Sequence, residues 1–220
     1  MTRSAAERRE DLIALYREVC DCRRCPLAAT RTNVVFGSGN ADADLMFVGE
    51  APGFHEDQQG KPFVGAAGKL LEKLLGEIGM AREDVFIANV LKSRPPGNRD
   101  PQPEEIEACK PYLMRQIELI EPLVICTLGN FSTKLLTRRQ DGITRVHGKP
   151  QQHTLAGLDL TIYPIYHPAA GLRSQPMLAA LREDFTRLPE LLAAARPEPE
   201  PESHGGSAEP LAAAQLGLFG

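Results

Sequence analysis

The sequence predicts an α/β fold: a three-layer sandwich with a central four-stranded, mostly parallel sheet flanked by helices. Four short apolar runs, Leu45–Val48, Val85–Val90, Leu123–Leu128 and Thr161–Ile165, have the length and continuity of strands buried on both faces. At least one stretch of helical periodicity separates each from the next, which is what crossovers between parallel strands require. The 220 residues, 42% of them hydrophobic, are enough to bury one substantial core.

The helices follow from spacing. Leu12, Leu15, Tyr16 and Val19 make one face of an opening helix that stops before a cysteine cluster. Leu70, Leu71, Leu74, Leu75 and Ile78 line a second helix, with Gly79 as its stop signal. Asp100-Pro101 and Pro103 precede a third, whose apolar positions include Ile106, Leu113, Ile117 and Ile120. A last pattern runs from Met177 through Leu181, Phe185 and Leu188, where Pro189 must kink or break it.

Residues 1–196 form the expected domain. Residues 197–214, rich in Pro, Glu and Ala, bury too little apolar surface to offset their ordering entropy and read as a disordered linker. No run approaches the roughly 20 apolar residues that span a bilayer, and Met1 to Glu10 is charged where a signal peptide is apolar, so a cytoplasmic chain is expected. The formal charge of −4 is distributed unevenly: all 25 Lys and Arg lie at or before Arg196, while Glu198, Glu200, Glu202 and Glu209 follow it. The domain is therefore neutral, and any affinity for a polyanion has to come from local clusters such as Lys92, Arg94 and Arg99 in one loop.

Five cysteines, an odd number, argue against a disulfide framework in a reducing compartment. Cys22-Arg23-Arg24-Cys25 has a gap that lets two thiolates reach one metal centre, and Cys109 opens a helix far along the chain. Cys126, inside a strand pattern, reads as a small buried hydrophobe.

Open α/β sheets bind ligands at the carboxyl ends of their strands. After the first strand stand Gly49-Glu50-Ala51-Pro52-Gly53, Glu56-Asp57 and Gly60-Lys61-Pro62-Phe63-Val64-Gly65-Ala66-Ala67-Gly68. Gly60-Lys61 followed by Pro62 is not a P-loop. The second strand ends in Ala88-Asn89-Val90, followed by Lys92 and Arg94-Pro95-Pro96-Gly97-Asn98-Arg99. The fourth ends in Tyr166-His167-Pro168. These three motifs, in this order, resemble those of the family-four, iron–sulfur uracil-DNA glycosylases, and the similarity covers roughly residues 20–190.

The resemblance implies an enzyme that hydrolyses the N-glycosidic bond of uracil in DNA, leaving an abasic site and starting base-excision repair. The residue chemistry agrees. Phe63 offers a stacking face for an everted base, and Asn89 a donor and an acceptor that match uracil O4 and N3–H but not cytosine. Gly49 and Ala51 bring backbone close to the base. His167, by resemblance and by position, is the donor to uracil O2, and Glu50 is chosen to orient water and stabilise the cationic sugar, with Glu56 and Asp57 as alternatives. Lys92, Arg94, Arg99 and Arg173 are expected to contact DNA, with Leu172 as a wedge in the duplex.

The resemblance also implies a [4Fe–4S] cluster on four cysteines. Cys22, Cys25 and Cys109 match three of them, whereas Ser93 stands where the family has a cysteine before Arg-Pro-Pro, so Ser93 oxygen, Cys20 or water is left to complete the set. Zinc on three cysteines is the competing reading. Residues 215–220, Gln-Leu-Gly-Leu-Phe-Gly, look like the peptide by which bacterial repair proteins bind the sliding clamp. Uracil-containing DNA, single- or double-stranded, is the expected partner of a monomer with no membrane role. Two rival functions remain at this level: a uracil-recognising DNA-binding protein with little turnover, and an iron–sulfur repair scaffold. Covalently trapping relatives use a histidine in the loop after Asn89, and none stands between Leu91 and Arg99.

Overall fold

The computed structural model describes residues 4–196; the linker and terminal peptide fall outside them. Helix α1 (Ala5–Cys20) starts at Ser4, whose hydroxyl caps Glu7 N–H while the Glu7 carboxylate takes Ser4 N–H at 2.8 Å. Leu12, Leu15 and Val19 are buried against α4 (Pro103–Ile120), and Tyr16 stays half exposed, edge-on to Phe36 at 5.5 Å.

Strands β2 (Leu45–Gly49), β3 (Phe86–Asn89), β4 (Val124–Leu128) and β6 (Leu158–Ile165) are the four apolar runs, and they pair in parallel in the order β3-β2-β4-β6. Among the described residues the sheet has six strands rather than the expected four. Two antiparallel edges close it: β1 (Ser38–Gly39) on β3, and β5 (Gln151–Leu155) on β6. Both escape the hydrophobic pattern for a physical reason, since β1 has only two residues and β5 is exposed at alternate positions.

Helices cover both faces. On one, α1 and α4 bury Leu12, Val19, Leu113 and Ile117 against Met46, Val48 and Ile125. On the other, α3 (Ala66–Glu77), α8 (Gln175–Thr186) and α9 (Leu188–Ala195) bury Leu71, Leu74 and Phe185 against Phe47 and Tyr163, with Phe47 and Phe185 stacked at 5.8 Å. Pro189 begins α9 instead of kinking one long helix, because its missing N–H costs nothing in a first turn. Cys109 lies inside α4 rather than at its start, since Pro103 and the Gln102–Glu105 capping pair begin that helix earlier. Among the described residues no helix is long and apolar enough to cross a membrane.

Candidate active site

The last residues of β2 and β3, Gly49 and Asn89, are paired neighbours. A Cβ on Gly49 would overlap Asn89 Oδ1 and stand 2.8 Å from the Phe63 ring, so glycine alone lets amide and ring share this floor. Phe63 arrives on the turn between α2 (Phe54–Gln59) and α3, in a left-handed conformation with φ 52°. A non-glycine residue there costs on the order of 1 kcal/mol or more, and the surroundings hold it. Arg82 donates to the Phe63 carbonyl at 2.8 Å and to that of Pro62. Glu56 Oε1 accepts from Val64 and Gly65 N–H at 2.9 and 2.8 Å, and Gly68 leaves the only room in which the Phe63 carbonyl fits.

His167 follows β6 and caps α7 (Pro168–Gly171). Its Nδ1 accepts from Ala169 N–H at 3.1 Å, so the ring proton sits on Nε2. Burial pushes its pKa down to about 4, against the weaker pull of Glu56, and the imidazole is therefore a neutral donor at physiological pH. The ring lies 5.6 Å from that of Phe63, tilted by 29°.

These groups meet in one hollow of about 420 Å³ at the carboxyl end of the sheet, with Glu50, Ala51 and Arg173 also on its wall. Asn89 is buried, and its Oδ1 has no hydrogen-bond partner. An orphaned buried acceptor costs roughly 1–3 kcal/mol, which marks this oxygen as a place for a ligand N–H. Glu50 is half-buried, and burial, with the Asp100 charge second, pushes its pKa up to about 7. The other two carboxylates weighed as alternatives have partners: Glu56 holds the Phe63 turn, and buried Asp57 accepts from Thr32 N–H at 2.9 Å.

The expected DNA-contacting residues divide. Leu172 is 52% exposed beside the hollow, in keeping with a wedge, and Arg173 lines it. Arg94 lies on the Phe54 ring at 5.2 Å and donates to Asn98 at 2.7 Å. Arg99 lines the hollow, but its guanidinium is forked onto buried Glu105 at 2.9 and 2.6 Å. Lys92 is a correction. It is buried, with Nζ donating to the Asn89 carbonyl at 2.8 Å and to Gln116 at 2.5 Å, and cannot meet a phosphate. Burial lowers its pKa to about 7, opposed by the charge of Cys109. Sequence reasoning missed this hub, and also Gln116 and Arg82, because charge is visible in a sequence while the partner that buries it is distant.

Cys22 and Cys25, after α1, come near Cys109 of α4. Burial raises the Cys109 thiol first, Lys92 backbone and charge counter it, and Cys25 and Cys22 add smaller increments. Tyr112 neighbours Cys22, and Arg24 lies over the Tyr112 ring at 5.3 Å. Ser93, adjacent to Lys92, is buried and accepts from Arg31 at 3.3 Å. No group of three or more His, Cys, Asp or Glu side chains among the described residues is arranged to hold a single metal ion.

A hollow with an aromatic ring, a buried amide oxygen left without a partner and a neutral imidazole suits a protein that takes one heterocyclic base out of its stack. The sequence pattern of the uracil DNA glycosylase superfamily matches residues 36–188. A type-4 uracil-DNA glycosylase of Saccharolobus solfataricus is 50% identical over 187 residues, covering 83% of this chain and 86% of that one. Its namesake in Archaeoglobus fulgidus is 47% identical over 192 residues, 86% and 96% of the two chains. The Thermotoga maritima protein of the same name is 47% identical over 169 residues, 76% and 86%. The chain belongs to the uracil DNA glycosylase superfamily, in its type-4 branch.

Proposed function

We infer that the chain is a monofunctional uracil-DNA glycosylase, hydrolysing the N-glycosidic bond of uracil in DNA to leave an abasic site. The observation that carries this is the partnerless Asn89 Oδ1 in one hollow with the Phe63 ring and His167. Uracil N3–H can donate to that oxygen while its O4 accepts from the amide NH₂; cytosine would set acceptor against acceptor and donor against donor. Bond cleavage leaves negative charge on uracil, and His167 Nε2–H, already neutral and oriented, donates to O2 as that charge develops. Glu50 in its ionised form holds water and faces the cationic sugar. No lysine lines the hollow among the described residues, so no Schiff base for strand cleavage is drawn.

The test is incubation of the purified protein with a uracil-containing oligonucleotide, followed by alkali. Cleavage at uracil is expected, and its loss in Asn89→Ala and His167→Ala. Binding with no release of uracil would instead support the rival reading of a uracil-recognising DNA-binding protein, and intact repair with both variants that of a scaffold.

For the cofactor, we propose a [4Fe–4S] cluster that Cys22, Cys25 and Cys109 would hold as thiolate ligands, with Ser93 as the candidate oxygen donor. Three soft thiolate donors suit iron and sulfide. When bound, the cluster supplies a structural crosslink between the segment after α1 and α4. Ser93 Oγ accepts from Arg31 at 3.3 Å, and Tyr112 neighbours Cys22. A cytoplasmic location is in keeping with five cysteines that form no disulfide, and the chain is proposed to act as a monomer. The peptide Gln215–Phe219 is proposed to bind the sliding clamp: deleting residues 215–220 should abolish co-elution with the clamp and leave activity on short oligonucleotides intact.

A further inference from the structure

The loop expected to meet phosphate has its cations committed elsewhere, on Gln116, Glu105 and Phe54. The segment after β4 is different. Residues 130–149 carry Lys134, Arg138, Arg139, Arg145 and Lys149 against a single acid, Asp141. That carboxylate is shared, 3.5 Å from Arg139 and 3.6 Å from Arg145. Arg138, Arg145 and Lys149 are exposed, and the Arg145 side chain is 82% accessible.

The position of this segment matters as much as its charge. It comprises α5 (Asn130–Thr137) and α6 (Ile143–Val146). Gly129 N–H donates to Ile165 at 3.0 Å, and a Cβ on Gly129 would stand 3.3 Å from His167 Cβ. Asn130 Oδ1 accepts from Ile143 N–H at 2.8 Å, which ties α6 to the start of α5. At the far end Gly148 N–H donates to Pro164 at 2.9 Å, and the His147 ring lies 4.4 Å from Tyr166. Both ends are thus pinned beside the histidine of the hollow. Against α4 the segment encloses a second hollow of about 460 Å³, with Ile106, Phe131 and Leu135 as floor and Lys110, Lys134 and Arg138 as rim.

We propose that α5 and α6 are the track for the phosphodiester backbone flanking the everted nucleotide, with Lys134, Arg138 and Arg145 as phosphate contacts. This rests on the glycosylase reading of the hollow. A nucleotide drawn into that hollow leaves its neighbours on the adjoining surface, where Leu172 is exposed, Arg173 lines the hollow, and this segment is a cationic face pinned beside His167. In a domain of zero net charge, affinity for a polyanion needs such a local field.

The test compares the full chain with Lys134→Glu/Arg138→Glu/Arg145→Glu, measuring binding to a uracil-free duplex and to a uracil-containing one over a series of salt concentrations. The slope of log affinity against log salt should shrink by about two to three, and affinity near 0.1 M salt should fall roughly tenfold or more. The single-turnover excision rate at saturating DNA and the melting temperature should be unchanged. Arg138→Gln and Arg145→Gln, which reverse no charge, should each reduce the slope by about one. Unchanged slope and affinity in the triple variant, or a lost excision rate with affinity intact, would overturn the track. Failure of the unaltered chain to release uracil would overturn the glycosylase reading instead, and the uracil-free duplex would still decide the track.

Discussion

The uracil hollow and the cysteine seam stand on either side of one buried lysine, and they are built in opposite ways. Each wall of the hollow is the end of a strand or a turn held by hydrogen bonds from the chain itself: Gly49 beside Asn89, Phe63 under Arg82 and Glu56, His167 set by Ala169. The seam gathers Cys22, Cys25, Ser93 and Cys109 from a turn, a loop and a helix, with no sheet pairing among them. Lys92 touches both, donating to the Asn89 carbonyl and lying close enough to Cys109 to offset part of the rise in its pKa. A site preorganised by its own backbone suits chemistry, whereas a seam of thiols suits a crosslink that a bound group completes.

The sharpest way to break this contrast is at the hollow. His167→Ala and Asn89→Ala should each lower single-turnover excision by about 10²–10³-fold with the melting temperature little changed. A loss below tenfold in either would mean that the hollow does not perform the chemistry. Glu50→Gln comes next, with an expected loss of about 10–10²-fold. If the ionised carboxylate is the active form, the rate of the unaltered chain rises with pH through about 7, and this limb disappears in the variant. His167, held at about 4, contributes no limb above pH 5.

Glu50 also links pH to stability. Its folded pKa, about 7, exceeds the ordinary 4.5, so the folded state binds its proton more tightly. The stabilisation this brings is present below about pH 4.5 and is lost by about pH 7, so ionising Glu50 penalises the fold at higher pH. Discounted for partial exposure, the penalty is ~1–2 kcal/mol, and Glu50→Gln should be more stable than the parent at pH 8 by that amount in urea unfolding.

The bridge and the seam should respond more in stability than in chemistry. Lys92→Met strands the Asn89 carbonyl and Gln116 Oε1, costing about 2–3 kcal/mol of unfolding free energy. If the proposed cluster is bound, protein isolated without oxygen should absorb broadly in the visible blue. Cys22→Ala and Cys109→Ala should abolish that band and lower the melting temperature by several degrees, while excision at 25 °C changes less than tenfold. A hundredfold loss of excision in Cys22→Ala or Cys109→Ala, with the fold intact, would erase the distinction between the two regions.

Much of this was legible in the chain. The four parallel strands read as unbroken apolar runs because helices bury both of their faces, and the ligand-facing residues stand immediately after those runs. The strands β1 and β5 were not legible, being short or half-solvated edges. Nor was the fate of the cations after β3: Lys92, Arg94 and Arg99 read as one basic loop, yet Gln116, Phe54 and Glu105 each take one of them. The cations after β4 stay outside because their partners are few.

The sequence by itself determined which side chains stand at the strand ends, since local periodicity and turn chemistry place them there. Only the tertiary structure decided their states: a neutral His167 with its proton on Nε2, an Asn89 oxygen left without a partner, a Glu50 poised near neutrality and a Lys92 turned inward. Solvation and hydrogen bonding are set by neighbours remote along the chain, and no local pattern encodes which neighbours those will be.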